Sequence, residues 1–559
     1  MEKPAPNLYS QLRKQFAAVF GVAVAIAICL FSHLGALGLV GPDEPRYAGI
    51  ARAMAQTGDW VTPRLYGVPW FEKPNLYYWA AAIGFDLHLP AEWAARLPSA
   101  FAALTAALAI GWLGWKHYGP AQNRGDENAA STFVTSPAVL APLIFCTSVA
   151  AIGFARAATP DMLFSSSIAL AMVCAASCIA EAGALRASKI TLRGDRKPPL
   201  ATLALFGFSL GLGVLAKGPA AVILAGGAIG IWALATSHVR VALRLAHPIA
   251  LATFCTVALP WYVLCARRNP DFLYVFIFQH NFERYLTPMF QHKQPFWFFG
   301  PITLLALLPW TPFLLATLPE GRRILSQNTW RTSPGLFFTC WALFPILFFS
   351  LSQSKLPSYI LPAIAPLALL LAVSATYGFV RTRTLSLAIS FLMAIVWLIL
   401  GVVAAEYFMA DSHLAVARTL ILAIGVLAAL WSIFFGSRRN LKAVVFTSAF
   451  AAAIAVEIAG FSLLPNLDSS VSARELATLV SASPQSDFYT YRLQRSWNYG
   501  LAFYAGREIK EWSPEDPDAA SLLTTAQGLN ELKKLGRFSG SVNPAEPGVR
   551  YVRIEAARR

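Results

Sequence analysis

A chain of 559 residues that is 56% hydrophobic and 13% charged, with a mean hydropathy of +0.53, carries about half the charge of a soluble domain, which is about 25% charged. One water-soluble core cannot absorb that many apolar side chains, so the composition defines an α-helical polytopic membrane protein whose backbone satisfies its own hydrogen bonds in lipid. The formal charge of +16 sits mostly in short loops between apolar runs, where Lys and Arg orient membrane helices, and this reading displaces nucleic-acid binding.

In chain order, the polar start "MEKPAPNLYSQLRKQF" runs into an apolar segment without a small-residue cleavage site, which reads as an uncleaved first span. About 20 apolar residues are needed per span. On that measure, spans fall near 16–37, 94–115, 136–156, 161–182, 199–216, 219–236, 247–266, 296–317, 335–351, 357–379, 384–405, 414–435 and 441–464, about 13 in all. The seven cysteines lie in or near these runs without metal-ligand spacing and read as small buried residues.

The loops sort by charge. One alternate set ("QLRKQF", "RASKITLRGDRK", "SHVRVALRLAH", "EGRRILSQNTWR", "VRTRT", "GSRRNLK") is basic and faces the cytoplasm. The other holds Asp43, Glu44, Asp59, Glu72, Asp161, Asp271, Glu283 and Asp411 and faces outward. An odd number of spans puts the N-terminus inside and the C-terminal tail outside. Two outward loops are long, 41–93 and 267–295. In the first, "EPRYAGIARAMAQTGDW" has helical spacing with a glycine stop, and "NLYYWAAAIGFDL" is amphipathic and aromatic; both predict short helices at the membrane interface. After Pro465 the composition becomes that of a soluble module. "SDFYTYRL", "GLAFYAGREIKEW" and "GVRYVRIEA" predict strands, and "ARELATLVSA" and "TAQGLNELKKLG" predict helices. The domain division is thus 1–465 for the membrane part and 466–559 for a small α/β domain. No internal repeat is visible, which weighs against a secondary transporter.

Charges pressed against span ends are costly unless paired or hydrated, and several on one face imply a shared polar cavity. Arg156, Asp161, Lys217 and Lys355 are of this kind. The chemistry that fits is a reaction on a phosphate-bearing lipid. Lys73, Arg284, Lys355 and the Tyr359 hydroxyl are candidates to hold the phosphate. Asp43, Glu72 and Asp161 are candidates for a general base, a metal ligand or an orienting partner. Glu72 with His280 or His292 suits a divalent cation. Each has a plainer reading: Asp43 with Arg46 as a local ion pair, "FEKP" as a turn, and Lys217 as a partner for a helix C-terminus.

The run "GPDEPRYAGIARAMAQTGDWVTPRLYGVPWFEKPNLYYW", followed by "AARLPSA", resembles the first outer loop of bacterial aminoarabinose transferases. These are relatives of protein O-mannosyltransferases within the polyprenyl-phosphate-sugar glycosyltransferases of GT-C architecture. "ARAATPDMLF", "GLGVLAKGPA", "ALPWYV", "HNFERYLTPMFQHKQPFWFF", "LPWTPF" and "SQSKLPSYILPAIAPLALLL" continue the resemblance to about residue 370. It implies inverting transfer of a sugar from an undecaprenyl-phosphate carrier to lipid A or another lipid or glycan acceptor. The setting would be the periplasmic face of the bacterial inner membrane, without a nucleotide cofactor. It also implies site residues. Asp43 and Asp161 would be catalytic, Asp43 as base or orienting group. Arg46, Tyr47, Lys73, Arg284, Lys355 and Tyr359 would bind substrate or phosphate, and Glu72 with His280 would hold a divalent metal. The family's second proline after Glu-Lys-Pro is Asn75 here. Protein O-glycosylation and a lipid-linked transporter or flippase are the alternative functions.

Overall fold

The computed structural model describes residues 8–118, 133–185, 197–283, 294–327, 330–377, 383–407, 414–481, 488–513, 515, 520–535, 543–546 and 549–554. The chain enters on α1 (Leu8–Phe31). The first long loop folds as α2 (Asp43–Thr57), the two-residue strands β1 (Arg64–Leu65) and β2 (Val68–Pro69), and α3 (Leu76–Asp86). Both interfacial helices expected there are present. Gly58 ends α2 at φ +68°, a left-handed conformation that costs glycine nothing.

Then follow α4 (Ala91–Tyr118), α5 (Pro137–Cys146), α6 (Val149–Ala155), α7 (Asp161–Glu181), α8 (Leu200–Lys217), α9 (Ala220–Thr236) and α10 (Pro248–Arg268). A π-helix covers Tyr274–Glu283. Beyond it lie α11 (Phe299–Ala306), α12 (Leu314–Ser326), α13 (Pro334–Ser350), α14 (Leu361–Tyr377), α15 (Arg383–Tyr407), α16 (Ala415–Ser437) and α17 (Leu441–Ile458).

Among the described residues, eight helices are long and apolar enough to cross a membrane, or up to ten if each of two bent pairs is one span, and Gln15–Phe31, Ala220–Thr236 and Pro334–Ser350 are shorter apolar helices. The expected 13 spans are therefore not established as a count, although the chain is a multi-pass helical membrane protein. Two expected spans break: 136–156 becomes α5 and α6 at 64°, and the stretch around 296–317 bends by 108° before α12. Pro309 and Pro312 lie at that second break, where missing amide donors interrupt the helical ladder.

The most buried span is α7, with 94% of its apolar window inside the protein. Around it α4, α5, α8, α13 and α14 share one continuous core. Leu108, Leu234, Phe391 and Leu430 are exposed on outer helix faces, as lipid-facing side chains are. Five of the cysteines are buried and Cys255 is exposed.

The C-terminal part continues from α17 through α18 (Leu464–Val471) and α19 (Leu476–Ser481) to a four-stranded sheet. Its order is β3 (Phe488–Tyr491), β4 (Ala520–Thr525), β6 (Val549–Ile554), β5 (Asn543–Glu546). β3 runs parallel to β4 and the other pairings are antiparallel. Helices α20 (Arg495–Ala505) and α21 (Ala526–Lys534) complete it. Of the strand expected at 500–512, the first part, 500–505, is instead the end of α20: Trp497, Leu501 and Tyr504 recur at helical spacing and pack on Leu476 and Phe488, while Glu511 bridges β3 at Thr490.

Candidate active site

Two proline–aspartate steps start the site. Pro42 and Pro160 are the N-caps of α2 and α7, so Asp43 and Asp161 are each the first helical residue. There the helix dipole and unbonded amides favour a carboxylate.

Asp43 is half exposed, and Arg46, one turn on, donates to it at 2.5 Å. The same guanidinium reaches Glu72 at 3.0 Å and stacks near the rings of Tyr47, Trp70 and Tyr499 at 5.1–5.6 Å. Burial alone would weaken the Arg46 charge, but Glu72, Tyr47 and Asp43 more than offset it and raise its pKa. Arg46, expected to touch substrate, is the tie between two carboxylates. Tyr47, expected to bind substrate or phosphate, is 3% exposed. It packs against Tyr77 and Tyr78 at 6.1 Å, and burial raises its phenol pKa far above the ordinary value. Its ring lies in the core beneath the first loop.

Glu72 also meets Lys73 at 3.3 Å. The loop carrying both is pinned by hydrogen bonds. The Asn75 amide donates to the carbonyls of Trp60 and Val61, both at 3.1 Å. Trp79 donates to Trp60 O at 2.7 Å and Trp261 to Val61 O at 2.9 Å. Asn75, where the family pattern has proline, is fully buried and uses the donor that a proline lacks.

Lys73 links to a second cluster through its field on Asp161. Asp161 is bound by Lys217. The Lys217 ammonium lies 4.8 Å over the Tyr359 ring, and Tyr359 packs on Phe349 at 4.7 Å. Lys355 is buried, donates to Ser352 O at 2.5 Å, and has its pKa lowered by burial. Asp43, Arg46, Glu72 and Lys73 are thus joined in one cluster, and Asp161, Lys217 and Tyr359 in a second. Lys217 is legible in the sequence as a charge at a span end but not as the partner of Asp161; its "AKGP" context marks a helix end and gives no sign of that carboxylate.

Arg284 and His292 lie outside the described residues. His280 sits on the π-helix, and among the described residues no group of three or more His, Cys, Asp and Glu could hold a metal. Glu72 lies between Arg46 and Lys73, and no step below runs through a metal.

Sequence reasoning also missed the clip beneath α2. The buried Glu44 carboxylate takes Arg96 at 2.7 and 3.1 Å and the amide of Ala158 at 2.7 Å. Arg96 also donates to the carbonyls of Leu34, Leu37 and Gly38. One pair thereby joins the end of α1 and the starts of α2, α4 and α7.

The first loop, with its paired acids and bases, is held at one end of a multi-pass helical body, and a solved structure shares that fold. A crystal structure of ArnT from Cupriavidus metallidurans bound to undecaprenyl phosphate superposes with a TM-score of 0.73 at 20% identity, covering 96% of this chain and 97% of that one. The undecaprenyl phosphate-alpha-4-amino-4-deoxy-L-arabinose arabinosyl transferase of Erwinia tasmaniensis is 32% identical over 358 residues, which are 64% of this chain and 59% of that protein. Its counterpart in Yersinia enterocolitica is 34% identical over 344 residues, 60% of this chain and 55% of that protein. The chain therefore spans somewhat over half the length of the curated relatives it matches. The dolichyl-phosphate-mannose-protein mannosyltransferase family model matches residues 127–276. The resemblance read from the loop motifs holds: the chain is aminoarabinose transferase-like in sequence and in fold.

Proposed function

We propose that the chain transfers a glycosyl group from an undecaprenyl-phosphate carrier to an oxygen of lipid A or another lipid or glycan acceptor, at the periplasmic face of the bacterial inner membrane. The observation that carries this reading is the pair of charged clusters, Asp43–Arg46–Glu72–Lys73 and Asp161–Lys217–Tyr359, at one end of the helical body. The names of the curated relatives and the ligand of the superposing ArnT structure support the same donor.

In the reaction the anomeric carbon–oxygen bond to the carrier phosphate breaks, and its electron pair leaves with the phosphate. The acceptor oxygen forms the new bond from the opposite face. Charge builds on the phosphate oxygens, and preorganised cations in a low-dielectric cavity stabilise it. Lys73 and Lys217 are the described cations best set to do so, and Arg284 and Lys355 are assigned to the same phosphate. Asp43, exposed and oriented by Arg46, takes the proton of a hydroxyl acceptor. A phosphate acceptor brings no proton, and Asp43 then orients it. Asp161 holds Lys217 in place.

The test is transfer of radiolabel from undecaprenyl-phosphate sugars to a lipid extract by the purified full chain in liposomes. Asp43→Asn and Lys73→Ala are each expected to lower transfer by about 10²-fold, the scale of losing one transition-state partner. Carrier binding with no labelled product from any donor would overturn the reading in favour of a flippase. Label recovered on protein would move the acceptor to a peptide.

A further inference from the structure

A cationic cavity lies at the end of the molecule opposite the candidate site, and the proposed reaction does not use it. Helix direction fixes its place. α14 starts beside Tyr359 and ends at Tyr377, and α4 starts at Ala91 and ends at Tyr118. The Tyr377 hydroxyl donates to the Tyr118 carbonyl at 2.7 Å, joining the two far ends. The 17 residues of α14 put this end about 25 Å from the candidate site at 1.5 Å per residue.

At this end α12 turns by 108° from the preceding apolar helix. It does not continue the line of that helix. Its sequence "LLATLPEGRRILS" puts Leu318 and Leu325 on exposed positions, with Arg322 and Arg323 between them. An apolar face with adjacent arginines is the signature of a helix lying in the headgroup region.

A cavity of about 1340 Å³ opens between α12, α13 and α14. Leu336, Leu367, Leu370 and Val373 give it an apolar interior, and the exposed Arg322 and Arg331 stand among its lining residues with the hydroxyls of Ser333 and Ser374. Among the described lining residues there is no carboxylate. Apolar walls beside guanidinium and hydroxyl donors match one amphiphile, with acyl chains inward and a phosphate outward.

We infer that this cavity binds an anionic phospholipid from the leaflet at that end, with Arg322 and Arg331 holding its phosphate and α12 lying along the membrane surface. The inference is independent of the proposed reaction, whose residues lie at the other end.

The test is native mass spectrometry of the full chain released from detergent, with phosphatidylglycerol and phosphatidylethanolamine of matched chains supplied in equal amounts. Wild type is expected to retain phosphatidylglycerol preferentially. Each arginine lost should reduce that preference about fivefold, the worth of one basic residue at an anionic surface, so Arg322→Gln/Arg331→Gln should abolish it. Arg438→Gln, a basic residue at the same end but outside the cavity, should leave it intact. Equal loss in the Arg438→Gln protein, or an unchanged preference in a double variant that melts like wild type, overturns the proposal. So does a double variant that loses only undecaprenyl phosphate, which would make the cavity a carrier site.

Discussion

At the scale of single residues, the proposed site depends on who holds whom. Asp161 and Lys217 are partners, so Lys217→Met removes a charge and strands a buried carboxylate. Transfer is expected to fall about 10²-fold, and Lys217→Arg should recover part of it because a cation still faces Asp161. Equal loss in both variants would mean that Lys217 only fills space. Asp59 gives a separate prediction about stability. Burial pushes its carboxyl up, but the Thr62 and Val61 amides with Arg268 and Arg64 overcome this and leave its pKa below the ordinary 3.8. A depressed folded value means that its contribution is full above the unfolded pKa and fades as pH falls through the folded one. Asp59→Asn should therefore lower the melting temperature at pH 7, and the gap from wild type should close below about pH 4. Both effects are modest, since Asp59 is partly solvated and screened.

At the scale of elements, helices were legible wherever apolar length or a glycine stop decided them. The sequence-expected span 161–182 is α7 at Asp161–Glu181, and 199–216 is α8 at Leu200–Lys217. What stayed hidden depended on partners distant in the chain. "GLAFYAG" alternates well enough to suggest a strand, but α2 and the C-terminal sheet pack on both sides of it, and a helix serves both. The acids of the first loop stood out because charge is scarce. That Glu44, next to Asp43, is the buried one could not be read without Arg96, 52 residues away. Breaking such a pair leaves an uncompensated buried charge, at a cost of about 3–5 kcal/mol. Arg96→Ala should accordingly melt well below wild type, and Glu44→Gln/Arg96→Met should melt closer to wild type than the single losses add up to. Additive losses in that cycle would remove the pair as the anchor of α2.

At the scale of the whole molecule, the chain sorts its charge by end and then closes one end with its own C-terminus. Asp468 accepts from the Gly38 amide at 2.7 Å, and Tyr504 accepts from the Leu39 amide at 2.7 Å while donating to Glu92 at 2.8 Å. Arg52 donates to the Phe503 carbonyl at 2.6 Å. The ring of Tyr499, on the same helix, lies 5.6 Å from the Arg46 guanidinium. The C-terminal part therefore sits on α2 at the end that holds Asp43, and the two must face the same side of the membrane. Basic loops such as "EGRRILSQNTWR" lie at the other end, and the rule that Lys and Arg stay inside predicts that this end is cytoplasmic. In a cysteine-free background, Ser513→Cys should react with an impermeant maleimide added to intact spheroplasts. Ser326→Cys, exposed on α12, should react only after the membrane is opened. Labelling of both positions from outside would break the orientation. The reverse pattern would put the proposed site on the cytoplasmic face, where nucleotide-linked donors are at hand and a lipid-linked one is no longer required.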